Sequence, residues 1–88
     1  IRIMKSFTYT VQDELGLHAR PAGMLAKAAA GYKSVIMIDN GTKKADAKRL
    51  MAIMGMGVKK GAVVTVTVEG EDEDAAFAAI EEFFKTNL

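Results

Sequence analysis

Two stretches of the chain alternate apolar with polar residues, at 7–12 and at 64–69. This period of two predicts half-buried strands, because successive side chains of a strand point to opposite faces. Two shorter strand-like runs, 35–39 and 42–45, flank the dipeptide Asn40-Gly41. Both residues of this dipeptide tolerate positive φ, so we predict a hairpin with a type I′ turn.

A helical period follows the first strand. Residues 19–30 are rich in alanine, and Gly31 comes directly after them. A helix over 19–30 would place Ala22, Leu25, Ala26 and Ala29 on one face, and Gly31 would lie just past its end. We therefore predict a helix whose apolar stripe packs on the sheet.

Two further helices are predicted. The second runs from Ala47 to about Met54, with Asp46 as its expected cap and glycines after it. The third begins at the acidic run 71–74, whose negative charge complements the positive end of a helix dipole and which is not interpreted as a metal site. Its expected buried stripe consists of Phe77, Ile80 and Phe84.

The predicted order is strand, helix, strand, strand, helix, strand, helix. Short strands with one apolar face favour an antiparallel sheet covered on one side by helices. The fold class is therefore α+β, an open-faced sandwich, and residues 1–88 are expected to form one domain. Met4 is a candidate start residue, which would make Ile1, Arg2 and Ile3 an upstream extension or a cloning remnant.

Composition excludes several classes of function. The chain has no cysteine and one histidine, so neither a disulfide framework nor a cysteine- or histidine-rich metal centre is available. The net charge of +1 gives no general attraction to nucleic acid, and no apolar run approaches the ~20 residues of a membrane span. No export signal is visible, so we expect a cytoplasmic protein without direct membrane insertion.

Residues 16–22, Gly-Leu-His-Ala-Arg-Pro-Ala, hold the sole histidine and the sole proline, with Arg20 between them. Proline suits the first turn of a helix, so we expect His18 at or just before a helix N-terminus. The positive helix end favours the neutral, nucleophilic imidazole. A phosphoryl group on it could accept bonds from the N–H groups of Ala19 and Arg20 and pair with the Arg20 guanidinium. An exposed loop histidine without a task is the alternative.

Two carboxylates, Asp13 and Glu14, precede this loop. They are candidates to orient the imidazole ring, and simple solvation is the alternative. The basic residues between 43 and 60 are interpreted as a solvated face, with an anion-steering rim as the alternative.

The second predicted helix carries more apolar residues than one buried face can accommodate. Ile53 and Met56 would supply the core, which leaves Leu50, Met51 and Met54 for the surface. An exposed cluster of leucine and methionine suits a surface that docks on several partners, because thioethers adapt their shape. Packing of all these residues in the core is the alternative.

Three segments together resemble one known family. Residues 16–22, Lys-Arg-Leu-Met-Ala-Ile-Met-Gly-Met-Gly at 48–57 and Val-Thr-Val-Thr-Val-Glu-Gly at 64–70 are similar to HPr, the histidine-containing phosphocarrier of the bacterial phosphoenolpyruvate-dependent sugar phosphotransferase system. The resemblance runs from about Lys5 to Phe84. It implies a four-stranded antiparallel sheet with three helices on one side.

The resemblance also implies a function. His18 would take a phosphoryl group on Nδ1 from phosphorylated enzyme I and pass it to the IIA domain of a sugar permease, with Arg20 stabilising the phosphate. Leu50, Met51, Met54 and Met24 would form the patch on which both partners dock. Such a protein is a covalently modified carrier, not an enzyme with its own turnover, and we expect a monomer without a cofactor. A regulatory or nitrogen-related HPr-like relay is the alternative.

Two positions depart from the family pattern. Many HPr proteins of low-GC Gram-positive bacteria carry a regulatory serine at the start of the second helix, and Arg49 occupies that position here. Since arginine cannot accept phosphate, we predict no serine-type regulation at this site. Asn40-Gly41 also lies one place earlier than the usual turn, which we expect to change only the local register.

Overall fold

The computed structural model describes residues 5–17 and 19–88. His18 and the candidate start at Met4, with the extension before it, lie outside the described residues. The elements are β1 (Lys5–Thr10), α1 (Ala19–Ala30), β2 (Val35–Asp39), β3 (Lys44–Asp46), α2 (Leu50–Gly55), β4 (Val63–Glu69) and α3 (Glu73–Asn87). Their order confirms the predicted succession of strands and helices.

The four strands form one antiparallel sheet in the order β1-β4-β2-β3. Alternate side chains of the central strands are buried, and those between them lie on the open face, where threonines and Met37 stand side by side. This is the arrangement expected when one face of a sheet is covered and the other is not. The predicted open-faced α+β architecture is confirmed.

The core lies between the buried face of the sheet and the three helices. Leu25 of α1, Ile53 of α2 and Ile80 of α3 are all fully buried in it. Phe84 of α3 makes edge-to-face contacts with the rings of Phe7 and Tyr9, at centroid distances of 5.6 Å and 5.7 Å. Such aromatic pairs add about 0.5–1.5 kcal/mol beyond the area they bury.

The apolar stripes predicted for α1 and α3 are confirmed, with small differences. Ala22, Leu25 and Ala29 are buried as expected, whereas Ala26 is half-buried. Phe77 of α3 is also half-buried, because it lies at the edge of the helix and sheet contact beside Phe7.

The prediction that α2 begins at Ala47 with Asp46 as its cap was wrong. The N–H of Ala47 donates to the carbonyl oxygen of Ile36, at 2.9 Å, and so prolongs the pairing of β3 with β2. The Asp46 carboxylate accepts the N–H of Lys48 in the connection between β3 and α2. The helix therefore begins three residues later, at Leu50, with Arg49 at the N-cap and no side-chain cap hydrogen bond.

The predicted type I′ turn at Asn40-Gly41 was also wrong. Among the described residues only glycines have positive φ, and Asn40 is thus excluded from that turn type. The connection is a four-residue loop, 40–43, in which the Asn40 Oδ1 accepts the N–H groups of Thr42 and Lys43. The Nδ2 group of the same side chain donates to the carbonyl oxygen of Met56. Because this amide organises the wider loop, β3 starts at Lys44 and not at Thr42.

The acidic run does lie at the start of the last helix, but one of its carboxylates serves another segment. Asp72 accepts hydrogen bonds from the N–H groups of Lys33 and Ser34 and from the Ser34 hydroxyl. These bonds lower the pKa of the Asp72 carboxyl, with the Ser34 hydroxyl as the largest cause. Asp72 thus holds the connection between α1 and β2 against the start of α3.

Candidate functional site

The segment before α1 is a tight turn built on Asp13. The Asp13 Oδ1 accepts the N–H of Leu15 at 2.9 Å, and the Asp13 carbonyl accepts the N–H of Gly16 at 2.9 Å. The main-chain oxygen of Leu88 accepts the N–H groups of Gln12 and Asp13. Side-chain acceptance two residues along the chain is typical of an Asx turn. The turn is therefore tied both to itself and to the end of α3.

Gly16 is indispensable to this turn for two reasons. Its φ is +66°, in the left-handed region that disfavours side chains. A Cβ at this position would also lie 2.3 Å from the carbonyl oxygen of Val58 and 2.6 Å from the Cα of Lys59. The next residue, Leu17, is buried and donates its N–H to the same Val58 carbonyl at 3.0 Å. The chain is thus held in place immediately before position 18.

The chain is also packed against the core after position 18. Pro21 and Ala22 of α1 are buried, whereas Ala19 and Arg20 are exposed. Because Ala19 and Arg20 lie in the first turn, their N–H groups have no acceptor within the helix. The described residues on either side therefore frame position 18 between a buried leucine and a helix N-terminus. The predicted acceptor, His18 itself, lies outside the described residues.

A depression of about 300 Å³ lies beside this helix start. It is lined by Asp13, Arg20, Pro21, Met24 and Asn87. Within residues 5–17 and 19–88 the Arg20 side chain forms no ion pair or hydrogen bond, so its guanidinium is available to an anion. The predicted phosphate-stabilising residue is therefore exposed, unpartnered in the described part of the chain, and two residues after position 18 in sequence.

The four side chains predicted for partner docking are all exposed. Their exposed fractions are 45% for Met24, 39% for Leu50, 78% for Met51 and 40% for Met54. We call these four residues the docking patch. They lie on α1 and α2, which pack against each other, and the neighbouring Ile53 and Met56 are buried as predicted. The alternative that all these apolar residues belong to the core was wrong.

An exposed leucine in the turn before α1 was missed by the sequence interpretation. Leu15 is 70% exposed within the turn that precedes position 18. A leucine between two carboxylates and a turn glycine was the available signal, because such a turn has no buried face for it. Arg49 is exposed as well, at the N-cap of α2, where the chain offers no hydroxyl.

Two classes of site find no support in the described part of the chain. No group of three or more histidine, cysteine, aspartate or glutamate residues there could hold a metal ion. In the same residues no helix combines the length and the apolar character that crossing a membrane requires.

Comparisons with known proteins agree on one family. The profile described as "PTS HPr component phosphorylation site" matches residues 5–86. The phosphocarrier protein HPr of Lysinibacillus sphaericus is 44% identical over 77 residues, which make up 88% of this chain and 88% of that protein. The crystal structure of HPr-C-His from Thermoanaerobacter tengcongensis has a TM-score of 0.88 at 36% identity, covering 93% of this chain and 92% of that chain.

A second structure from the same organism bears on assembly. The HPr dimer from Thermoanaerobacter tengcongensis matches with a TM-score of 0.74 at 36% identity, over 93% of this chain and 94% of that chain. Since a relative is described as a dimer, the expectation of a monomer stays a prediction for this chain.

Proposed function

This chain belongs to the HPr family, and we propose that His18 accepts a phosphoryl group from phosphorylated enzyme I and passes it to IIA domains of sugar permeases. The proposal rests on one observation: the chain is held in place on both sides of position 18. Gly16 and Leu17 anchor the chain on one side, and the buried Pro21 fixes the helix start on the other. A held loop at a helix N-terminus suits a residue that must meet two partners in the same geometry.

The chemistry needs only groups that the sequence supplies. The lone pair of the His18 Nδ1 attacks phosphorus, the bond from phosphorus to the donor breaks, and its electron pair remains with the donor. The other ring nitrogen keeps its proton, so no base is required. The transferred oxygens accept hydrogen bonds from the N–H groups of Ala19 and Arg20, and the Arg20 guanidinium offsets their charge. On delivery, the acceptor attacks phosphorus, the bond between phosphorus and Nδ1 breaks, and its electron pair returns to Nδ1.

The docking patch supplies the contact area for both partners in this proposal. Its three methionines present flexible, polarizable side chains that adapt to more than one surface. Binding and chemistry are then divided between neighbouring elements: α2 carries most of the patch, whereas the loop before α1 carries the phosphoryl group. The protein acts as a carrier that is modified and restored.

The direct test is incubation with phosphoenolpyruvate and enzyme I, followed by intact-mass measurement. We expect a gain of one acid-labile phosphoryl group, which is absent in His18→Ala. Arg20→Ala should slow phosphoryl acceptance without changing the site of modification. A chain that stays unmodified while a control HPr is labelled would rule out the proposal.

A related function, an HPr-type relay not dedicated to sugar uptake, is the second candidate. The observation behind it is Arg49, which stands exposed at the start of α2 where a regulatory serine is found in many relatives. Incubation with the serine kinase and ATP should leave this chain unlabelled, and labelling at any serine would contradict the interpretation. Transfer to sugar-type or nitrogen-type IIA acceptors, compared at equal concentration, distinguishes the two candidates.

A further inference from the structure

The methionines in the described part of the chain differ widely in exposure. Met51 is 78% exposed, whereas Met56, five residues later, is buried at 6%. Met24 and Met54 are also exposed, and Met37 is half-buried on the open face of the sheet. The three exposed methionines are therefore the three that belong to the docking patch.

The thioether sulfurs are the side-chain atoms of this chain that are most open to oxidation. The sequence contains no cysteine and no tryptophan, so no thiol or indole competes for an oxidant. Hydrogen peroxide oxidises a thioether in one two-electron step, in which a sulfur lone pair attacks one oxygen and the O–O bond breaks. The second oxygen leaves as hydroxide and takes the proton of the first, which gives a sulfoxide and water. Because the oxidant must reach the sulfur, susceptibility follows exposure.

A sulfoxide changes what the docking patch presents to a partner. A flexible apolar group becomes a polar one with an oxygen that accepts hydrogen bonds. On the free surface water satisfies this oxygen, so the fold is undisturbed. Against an apolar partner surface the oxygen loses its water without gaining a donor, which makes association less favourable. Oxidation of the patch therefore acts on docking and not on folding.

Resting on the proposed function, we propose that the methionines of the docking patch are a site of reversible oxidation, with hydroperoxides as the substrate class and Met51 as the residue modified first. The sulfoxide form docks poorly on enzyme I, so oxidation lowers phosphoryl acceptance. A thiol-dependent methionine sulfoxide reductase restores the thioether: two thiols become a disulfide, and the sulfoxide oxygen leaves as water.

The first measurement maps the modification itself. The folded protein is treated with hydrogen peroxide, and peptide mass mapping follows the gain of one oxygen at each methionine. We expect Met51 to be oxidised at least about fivefold faster than Met56, with Met24 and Met54 between them. In urea-unfolded protein the rates should become equal. Equal rates for Met51 and Met56 in the folded protein would overturn the proposal.

The second measurement tests the effect on docking. Each protein is compared with itself, as the kcat/KM of enzyme I after peroxide treatment divided by the value before it. This ratio should fall about tenfold for the parent and for Met37→Leu, which lacks only a methionine outside the patch. It should stay within about 1.5-fold of one for the triple variant Met24→Leu, Met51→Leu, Met54→Leu, because leucine has a similar volume but no sulfur. A triple variant that loses as much as the parent would overturn the proposal.

Two controls separate docking from folding. The urea midpoint of the treated parent should match that of the untreated one, and a midpoint that falls together with kcat/KM would attribute the loss to unfolding and contradict the proposal. Incubation with the reductase and a thiol should restore kcat/KM, and a loss that persists after the sulfoxides are reduced would contradict it as well.

The two proposals remain distinguishable. A parent that is phosphorylated equally well before and after oxidation of Met51 refutes only the oxidation site, whereas a parent that is never phosphorylated refutes the proposed function itself. Retention on a hydrophobic-interaction column tests the patch without enzyme I. It should fall on oxidation of the parent and not of the triple variant, and unchanged retention of the parent would overturn the proposal.

Discussion

The starts of α1 and α2 show two ways of beginning a helix beside an exposed apolar surface. The 12-residue α1 follows a turn in which Gly16 touches the 58–59 backbone and Leu17 is buried. The six-residue α2 follows Arg49, which gives no side-chain cap, and Ile53 is its one buried residue. The first start is thus fixed by contacts from both sides, whereas the second depends on a single core side chain.

This difference matches the tasks proposed for the two elements. Phosphoryl transfer depends on the placement of a few atoms, and small displacements are costly. Docking on several partners instead depends on an apolar surface whose side chains can adapt. A rigid start suits α1, and a short helix with exposed methionines suits α2.

The largest effect on stability is expected from a substitution that disrupts the turn before α1. Gly16→Ala places a Cβ within 2.3 Å of the Val58 carbonyl oxygen at a φ of +66°, so the free energy of unfolding should fall by about 3 kcal/mol. Gly57→Ala is the matched control, because Gly57 has the same φ of +66° but nothing within 4 Å of the added Cβ. It should lose only about 1 kcal/mol.

Urea denaturation of both variants checks this expectation. Equal losses would mean that the contact with Val58 and Lys59 does not hold the turn. Phosphoryl acceptance should also fall in Gly16→Ala under conditions where the variant is still folded, and it should be unchanged in Gly57→Ala.

We expect a substitution in the docking patch to have the opposite effect: it should lower function and leave stability unchanged. Met51 is 78% exposed, so Met51→Glu should leave the free energy of unfolding within about 0.5 kcal/mol of the parent. It should lower the kcat/KM of enzyme I for this chain about tenfold, because it puts a charge into the centre of an apolar contact. Val35→Thr, at an exposed position of β2 on the sheet, is the control and should leave kcat/KM unchanged. Equal kcat/KM values for both variants would remove Met51 from the docking patch.

The sequence predicted best the features that depend on neighbours in the chain. Alternation in β4 and the helical period of α1 gave the correct buried faces, because each pattern follows from the geometry of one element. The segment 16–22 likewise indicated the start of α1 at Ala19, since proline and a following alanine-rich run act locally.

The features that it missed depend on residues far apart in the chain. Ala47 donates to Ile36, and Asn40 donates to Met56, so the start of α2 and the loop at 40–43 were decided by contacts that no local pattern contains. The same holds for the depression, because Asp13, Arg20 and Asn87 meet there only in the folded chain. Arg20 was found from its neighbours in the chain, whereas the depression that it lines could not be predicted.

The start of α3 offers a third case for the comparison. There the Asp72 carboxylate accepts hydrogen bonds from Lys33 and Ser34, which lie between α1 and β2. The pKa of Asp72 is depressed below its ordinary value of 3.8, so its stabilising effect is present above pH 3.8 and is lost as the pH falls through the folded-state pKa. The free energy of unfolding should therefore decrease below pH 3.8 more steeply in the parent than in Asp72→Asn. Urea titrations between pH 7 and pH 2.5 check this. Parallel curves for the two proteins would show that Asp72 contributes no pH dependence.

The smallest effect concerns the missing cap of α2. Arg49 has an extended backbone at the N-cap, φ −111° and ψ 106°, which is the conformation from which a serine hydroxyl accepts a main-chain N–H of the first turn. Arg49→Ser should therefore raise the free energy of unfolding by about 0.5–1 kcal/mol, as measured by urea denaturation. Arg49→Ala removes the same charge without providing a cap, so it should gain less. Equal gains would attribute the effect to the charge alone. A larger gain for serine would show that this chain forgoes stability at α2 by carrying arginine, whose positive charge lies beside the docking patch.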